Sequence, residues 1–285
     1  MDRAHPALYL CFWVAGSVGG CRTAVQASSQ SSAERAIDAA PEHEGATTPA
    51  DSRPGTKLAP IETDWCIDTV NALDESTCYV LPDEPTETLL IYLHGIVPPI
   101  PTSPQKTSVE TVVANAARRA RVAALIPRGQ AGFGPGRREN WFGWPTSEAK
   151  YREYAPAFVA SLAEKRKKLE DASGITFSRT YIAGSSSGAY FAALLALHGG
   201  IAADGFGIMS GGRGAKTAEL GTLSSKPVYI GFGKYDRGVR LGALALAEIF
   251  RAARWPVRMG EHAVDHGAKE VYLDEAFAFW REYGR

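Results

Sequence analysis

The chain has 285 residues, which is enough for one large α/β domain with a substantial core or for two small domains. Its hydrophobic content of 45% and its charged content of 22% are ordinary for a globular protein. Because 31 Lys and Arg residues balance 31 Asp and Glu residues, the overall charge argues against nucleic acid or an anionic surface as a partner.

Residues 1–20 have the pattern of a signal peptide. The mostly apolar run Pro6–Val18 is too short to span a bilayer as a stable helix and fits a signal-peptide core. Small residues then precede Cys21, as in a bacterial lipobox, in which the cysteine is acylated and becomes the mature N-terminus. The alternative is an ordinary signal peptide cleaved nearby. The pattern predicts export, to the bacterial cell envelope through a lipid on Cys21 or into the medium, with membrane contact only through that anchor.

Residues 21–60 have the composition of a flexible tether. They are rich in Ala, Ser, Thr, Glu, Gly and Pro and have almost no aliphatic periodicity. Such a segment cannot bury enough apolar surface to offset its ordering entropy. We therefore expect a linker that joins the N-terminal anchor to a folded domain over residues 61–285.

Two cysteines lie in the expected domain, Cys66 and Cys78. They flank a segment in which residues 71–76 (NALDES) have the composition of a hairpin turn. In an exported protein such a pair is most simply a disulfide that staples the hairpin. The sequence has no Cys-x-x-Cys and no His/Cys/carboxylate spacing suited to zinc, so neither a metal nor another cofactor is expected.

Short apolar runs alternate with longer helical patterns from about Ile61 onwards. Continuous apolar runs are typical of strands buried on both faces. The predicted strands are Leu89–Leu93, Val122–Pro127, Thr180–Ala183, Gly205–Met209, Pro227–Gly231 and Pro256–Met259. The predicted helices are Val109–Arg121, Glu148–Ala172, Ala189–Ala196, Leu241–Ala253 and Ala268–Trp280. This alternation predicts an α/β fold with a doubly wound, mainly parallel sheet.

Gly184–Gly188 (GSSSG) lies between a predicted strand and a predicted helix, which is the context of a nucleophile elbow. In that turn the central serine projects above the sheet edge, and the positions two before and two after it must be almost free of side chain. Only Ser186 has glycine on both sides at this spacing. The simpler interpretation is a Ser- and Gly-rich loop.

A serine nucleophile needs a base and an acid, which on a strand–elbow–helix fold follow it in the order acid, then histidine. Asp236 follows the predicted strand Pro227–Gly231 and is the candidate acid, with a helix N-cap as the alternative role. His262 and His266 both follow the last predicted strand. His266 is favoured as the base because it immediately precedes the final helix.

An oxyanion hole should combine the backbone N–H of Ser187 with one from the loop after Leu89–Leu93. That loop reads HGIVPP, and proline has no N–H, so Ile96 or Val97 supplies the second donor. Ile96, directly after the His-Gly pair, is the better choice. His94 is expected to brace the loop by hydrogen bonding.

A long Gly-rich loop, Gln130–Thr146, should emerge at the same sheet edge and shape a binding cleft. Its tryptophans could stack on an aryl, sugar or polymer ester, and its arginines could pair with a carboxylate. The alternative is that the tryptophans pin the loop to the domain. The candidates for substrate contact are Trp141, Trp144 and Arg213, the last of these from a separate Gly-rich turn, together with Arg137 and Arg138.

With these residues identified, the chain from about Glu87 onwards resembles an α/β-hydrolase. It is similar to small secreted esterases of the dienelactone hydrolase, feruloyl esterase and polyhydroxyalkanoate depolymerase type, on His94-Gly95, Gly184–Gly188, Asp236 and His266. The resemblance implies a Ser186–His266–Asp236 triad, an acyl-enzyme intermediate and a small-molecule or polymer ester as substrate. The short interval before the strand Pro227–Gly231 implies that there is no large cap domain.

Three other functions remain open at this point. A peptidase or an acyltransferase would use the same triad on another acyl group or acceptor. A non-catalytic surface binding protein would keep the fold without needing all three side chains. A nucleotide-binding domain is disfavoured, since Gly184–Gly188 lacks the lysine of a phosphate loop. The sequence indicates neither the acyl and alcohol specificity nor the oligomeric state.

Overall fold

The computed structural model describes residue 61, residues 63–213 and residues 220–283. The predictions for residues 1–60, namely the signal peptide, the acylation of Cys21 and the linker, lie outside the described residues. No helix in the described part of the chain is both long and apolar enough to cross a lipid bilayer.

Eight strands and five α-helices are found in the described residues. The strands are β1 (Asn71–Asp74), β2 (Thr77–Val80), β3 (Thr88–Leu93), β4 (Ala123–Pro127), β5 (Arg179–Ser185), β6 (Gly205–Met209), β7 (Val228–Gly233) and β8 (Val257–His262). The helices are α1 (Pro104–Ala120), α2 (Glu148–Ser173), α3 (Ser187–His198), α4 (Arg237–Ala252) and α5 (Glu270–Tyr283).

All eight strands form one mixed sheet in the order β1-β2-β4-β3-β5-β6-β7-β8. The pairs β1–β2 and β2–β4 are antiparallel, whereas every pairing from β4 to β8 is parallel. Parallel strands need crossover helices, and those helices cover both faces of the sheet. The predicted doubly wound, mainly parallel sheet is confirmed, with an antiparallel extension at one end.

Two apolar layers enclose the sheet. One contains buried residues of α2, α3 and α4, and the other contains buried residues of α1 and α5. Between them, Leu89, Leu90, Tyr92 and Leu93 of β3 are completely buried. This burial explains why the strand reads as a continuous apolar run. In the described residues no cap domain lies between β6 and β7, in agreement with the prediction.

The predicted disulfide is present, whereas the predicted turn is misplaced. The sulfur atoms of Cys66 and Cys78 are 2.12 Å apart. Asn71–Asp74, expected in the turn, is strand β1 and pairs antiparallel with β2. The chain reverses at Glu75 and Ser76, where the Asp74 carboxylate accepts bonds from the N–H and hydroxyl of Ser76 at 2.8 and 2.9 Å. Because the Asp74 side chain closes the turn, only the last residues of the predicted segment take part in it, and the residues before them are free to form a strand.

Element ends also differ from the prediction near the sheet edge. Helix α1 begins at Pro104 because the Ser103 hydroxyl accepts a bond from the Lys106 N–H and proline fits the first turn. Helix α4 begins directly after Asp236, and β8 continues to His262. As a result His262 belongs to a strand, not to the loop in which it was predicted.

Candidate active site

Ser186 connects β5 directly to α3 and has φ 52° and ψ −120°. A Cβ at Gly188 would lie 2.0 Å from the carbonyl oxygen of Leu93, and one at Gly184 would lie 2.7 Å from the same oxygen. Any side chain at either position would therefore push the end of β3, which carries Leu93, away from the elbow. The segment has the geometry of a nucleophile elbow, and the alternative of a plain Ser- and Gly-rich loop does not describe it.

An aspartate–histidine pair lies beside the elbow. The Asp236 Oδ2 atom is 2.6 Å from Nδ1 of His266. Asp236 stands at the N-cap position of α4, but its side chain makes no capping hydrogen bond. Its side chain is 11% exposed, whereas that of His266 is 49% exposed. A ring that donates from Nδ1 to the carboxylate has Nε2 available to accept a proton.

His262 has different neighbours. Its Nε2 atom is 3.2 Å from Oε2 of Glu275. The same carboxylate oxygen accepts a hydrogen bond of 2.7 Å from the Tyr229 hydroxyl. Asp265, next to His266 in sequence, forms an ion pair with Lys269. Of the two candidate histidines, only His266 meets the candidate acid.

The loops that carry the acid and the base are tied together. The N–H of Lys234, just before Asp236, donates to the carbonyl of His262 at 2.6 Å. The Ser210 hydroxyl, at the end of β6, donates to the carbonyl of Gly267 at 3.1 Å. These bonds fix the backbone on both sides of His266, so the position of the ring is set by three strand ends.

His94 braces the loop after β3, as expected. Its Nε2 accepts a hydrogen bond of 2.9 Å from the Gly129 N–H, and its Nδ1 contacts the carbonyl oxygen of Gly95. Complete burial lowers the pKa of His94 to about 4. The ring is therefore neutral near pH 7, with the proton on Nδ1, and it links the loop after β3 to the loop after β4.

The expected oxyanion donors differ in whether their N–H groups are already bonded. The Val97 N–H donates to the carbonyl of Phe142 at 3.0 Å, so it is already used. Within the described residues the Ile96 N–H has no backbone partner. The Ser187 N–H lies in the first turn of α3, where amides have no partner within the helix. The geometry leaves Ile96 and Ser187 as the available pair.

A cleft of about 470 Å³ lies over these groups. Both Ser186 and His266 line it, together with Ile96. The rest of the lining includes Gln105 and Ser108 of α1, Arg138, Trp141 and Lys269. Sequence reasoning missed Gln105, Ser108 and Lys269. The first two precede the predicted helix start at Val109, and no local pattern indicates that either helix start faces the elbow.

The residues predicted to contact substrate are found in different places. Trp141 lines the cleft, and the Arg138 guanidinium lies 4.8 Å from the centre of its ring. Trp144 is 1% exposed and packs against His94, Phe158 and Phe191. Trp144 therefore pins the loop to the core, which was the alternative role, and does not line the cleft. Arg213 is exposed and also lies outside the cleft lining.

Among the described residues, no group of three or more His, Cys, Asp or Glu side chains is arranged to hold a metal ion. Ser186 and His266 line the cleft, and Asp236 contacts the His266 ring. A serine, a histidine and a carboxylate can act together as a nucleophile, a proton acceptor and a group that orients the acceptor.

Comparison with known proteins finds similarity in structure alone. The sequence matches no family model and no curated protein. A carboxylesterase from Bacillus cereus is 16% identical, with a TM-score of 0.54 over 72% of this chain and 93% of its own. A carboxylesterase from Mesorhizobium loti is 16% identical, with a TM-score of 0.53 over 76% and 96%. Esterase PE8 is 17% identical, with a TM-score of 0.52 over 73% and 98%. The chain has the α/β-hydrolase fold.

Proposed function

We propose that this protein is a serine hydrolase that cleaves carboxylic esters through Ser186, His266 and Asp236. The observation that carries the proposal is the 2.6 Å contact between Asp236 and His266 beside a cleft that Ser186 also lines. The names of the structural neighbours, which are carboxylesterases and an esterase, support esters as the substrate class.

The reaction follows from the roles of these groups. Nε2 of His266 accepts the proton of the Ser186 hydroxyl as the oxygen attacks the ester carbonyl carbon. The N–H groups of Ile96 and Ser187 donate to the oxyanion that forms, and Asp236 stabilises the imidazolium. His266 then protonates the departing alcohol, which leaves an acyl group on Ser186. Water, deprotonated by His266, hydrolyses this acyl-enzyme and restores the serine.

A non-catalytic binding protein is a poorer explanation. The φ of 52° at Ser186 is uncommon for a residue with a side chain and costs on the order of 1–3 kcal/mol. A binding surface would need neither this strain nor a histidine aligned on a carboxylate. A peptidase or an acyltransferase remains compatible with the triad, so the substrate panel below includes an anilide and an added alcohol.

The central test uses a fluorophosphonate probe on the purified protein, followed by mapping of the modified peptide. We expect labelling at Ser186 that is lost in Ser186→Ala. His266→Ala should lower kcat for p-nitrophenyl acetate by at least about a thousandfold, since triad members act as a unit. His262→Ala is the matched control and should keep kcat within about threefold, as its ring meets Glu275.

Labelling that survives in Ser186→Ala would overturn the mechanism. Loss of turnover in His262→Ala but not in His266→Ala would show that His262, and not His266, is the base. Faster cleavage of a matched anilide than of the ester would indicate a peptidase. Transfer of the acyl group to an added alcohol in preference to water would indicate an acyltransferase.

We also propose that the mature enzyme is exported and held at the cell envelope by an acylated Cys21. The lipobox-like pattern supports this, and so does the Cys66–Cys78 disulfide, since such bonds persist in oxidising compartments. The test is metabolic labelling with an alkyne fatty acid in a bacterial host. The label should be absent from Cys21→Ala, and labelling that persists in this variant would contradict the proposal.

A further inference from the structure

The segment that precedes β1 reaches the support of the oxyanion loop. Trp65 is only 5% exposed, although it follows closely on the predicted linker. Its ring meets that of Phe142 edge to face, with centroids 5.4 Å apart. The Arg128 guanidinium lies 4.9 Å from the Trp65 ring and 4.8 Å from the Phe142 ring. Phe142 is thus held by an aromatic contact and a cation–π contact.

Phe142 in turn holds the backbone that carries the oxyanion donor. It exchanges two hydrogen bonds with Val97, of 3.0 and 2.9 Å, and Val97 adjoins Ile96. The next residue, Gly143, lies close to the side chains of both donor residues. A Cβ added there would be 3.5 Å from Cγ1 of Ile96 and 3.6 Å from Oγ of Ser187. Phe142 is therefore connected to the oxyanion loop through the Val97 hydrogen bonds and through the packing of Gly143.

A covalent tether lies next to Trp65, whose ring also lies 5.1 Å from Nζ of Lys106 in α1. The residue after Trp65, Cys66, is bonded to Cys78, which is fully buried in β2. Among the described residues 65–67, the only hydrogen bond to α1 runs from the Ile67 N–H to Oε2 of Glu110, at 3.0 Å. Cys66 itself is half-buried, whereas its partner Cys78 is completely buried.

We propose that Trp65 is a positioning residue for the oxyanion loop and that the Cys66–Cys78 disulfide makes ester turnover depend on the oxidised state of the protein. The inference rests on the proposed esterase function. A dithiol that reduces the bond supplies two electrons and two protons; two cysteine thiols form, and the dithiol closes to its own disulfide. Trp65 then loses its covalent tether, and the pairing of Phe142 with Val97 loosens.

The effect appears in the transition state. Oxyanion donors stabilise the charge that develops during attack more than they stabilise the bound ester. A displaced Ile96 amide therefore lowers kcat and leaves KM almost unchanged. If the chain is exported as proposed, the hydrolase is weak while its cysteines are reduced. It gains activity when the disulfide forms in an oxidising compartment.

The experiment compares the purified full chain before and after reduction by dithiothreitol, with p-nitrophenyl acetate as the substrate. Near-UV circular dichroism gives the folded fraction, and thiol titration gives the reduced fraction. Parallel assays use Trp65→Ala, Trp65→Phe and Trp255→Ala. Trp255 is the matched control, since it is also 5% exposed but packs against Phe250 of α4.

Per folded molecule, kcat should fall about 10- to 100-fold on reduction and in Trp65→Ala, with KM within about threefold, since losing one oxyanion donor costs up to about a thousandfold. Trp65→Phe, which keeps a ring against Phe142, should recover most of the loss. Trp255→Ala should retain kcat. A reduced enzyme that keeps kcat within twofold overturns the inference, and so do equal losses in Trp65→Ala and Trp255→Ala.

The inference and the proposed function fail in different ways. If Ser186→Ala turns over the ester as fast as the wild type, the proposed function itself is wrong. An inactive Ser186→Ala, together with a redox state that has no effect on kcat, removes only the role of Trp65 and the disulfide. If reduction unfolds the chain, the redox part of the inference is overturned, and the three tryptophan variants, which keep the disulfide, decide the positioning role of Trp65.

Discussion

Two serines at neighbouring strand ends carry left-handed backbone conformations. Ser186, after β5, has φ 52°, and Ser210, after β6, has φ 48°. Such conformations cost on the order of 1–3 kcal/mol each and persist only where the surroundings over-determine them. Ser186 presents its hydroxyl to the cleft, and Ser210 directs its own to the carbonyl of Gly267 beside the candidate base. Two of the four non-glycine residues with positive φ in the described part of the chain thus serve the proposed mechanism, while the other two, Arg121 and Arg254, follow helices elsewhere.

Arg138 is the cleft residue for which we predict an effect on substrate choice. Of the two cationic side chains that line the cleft, Lys269 is paired with Asp265, whereas Arg138 has no carboxylate partner among the described residues. We predict that Arg138→Gln lowers kcat/KM about fivefold to tenfold for an ester whose acyl chain ends in a carboxylate, because a charge-assisted hydrogen bond is lost. The measurement compares p-nitrophenyl hydrogen glutarate with p-nitrophenyl valerate, which has the same chain length.

Arg137→Gln provides the control for this prediction. It removes the same charge from the same short turn, Gly136–Arg138, but Arg137 does not line the cleft. In this variant kcat/KM for both esters should stay within about twofold of the wild-type value, because exposed charges remote from the ligand are screened. An equal loss for the charged and neutral esters in Arg138→Gln would show that Arg138 does not recognise a carboxylate.

At the scale of elements, the parallel sheet is what brings the site together. The loops after β3, β5, β7 and β8 carry Ile96, Ser186, Asp236 and His266, in that order. The carboxyl ends of parallel strands lie at the same edge, so four segments that are distant in sequence meet there. The loop after β6 joins them through Ser210, which supports a neighbour instead of touching the cleft.

Ser210→Ala tests this coupling between elements. The change removes the 3.1 Å hydrogen bond to the Gly267 carbonyl, so the turn that carries His266 loses its tie to the end of β6. We predict a fall in kcat of about 3- to 30-fold with a small change in KM, because a misplaced base affects the transition state more than binding. Steady-state kinetics with p-nitrophenyl acetate measure this.

Ser210→Thr is the conservative comparison for that variant, since it keeps a hydroxyl at the same position. It should recover part of the lost kcat. If Ser210→Ala retains full kcat, the position of His266 does not depend on β6.

The ends of elements show where pattern reading stops. The period of apolar residues correctly predicted that α4 and β8 exist, but it placed the start of α4 at Leu241 and the end of β8 at Met259. Arg237–Arg240 has a single apolar residue, Val239, and Gly260–His262 has none, so the apolar period does not extend over either segment. Gly260–His262 is ordered by pairing with β7, and the first turn of α4 is closed by the hydrogen bond from the Val239 N–H to the Asp236 carbonyl.

At the scale of the whole molecule, the buried His94 links catalysis to acid stability. Its pKa is about 4 in the folded protein, below the ordinary value of 6.5. As the pH falls below 6.5, the unfolded chain takes up the proton first, so the free energy of unfolding decreases. The decrease ends at about pH 4, where the folded protein is protonated as well. The shift corresponds to about 3 kcal/mol. Stability from this group is therefore complete above pH 6.5 and absent below about pH 4.

The prediction is measured as the free energy of unfolding in urea at pH 7, 5.5 and 4. His94→Gln, which cannot take up a proton, should be less stable at pH 7 but should lose about 3 kcal/mol less than the wild type over this interval. Equal losses in the two proteins would show that His94 is not the group responsible. Titration of the His94 ring by NMR gives the same answer without a variant.

The sequence by itself determined the β/α alternation, the Gly184–Gly188 elbow and the disulfide pair, because each is a local pattern of residue size and polarity. It also ranked Asp236 and His266 first among the candidates for acid and base. The tertiary structure decided that these two side chains meet while His262 lies against Glu275, that Val97 is engaged and Ile96 is available, and that Trp144 is core while Trp141 lines the cleft. These choices depend on which loops come together at one sheet edge. Contacts across many residues fix that arrangement, and no local pattern carries it.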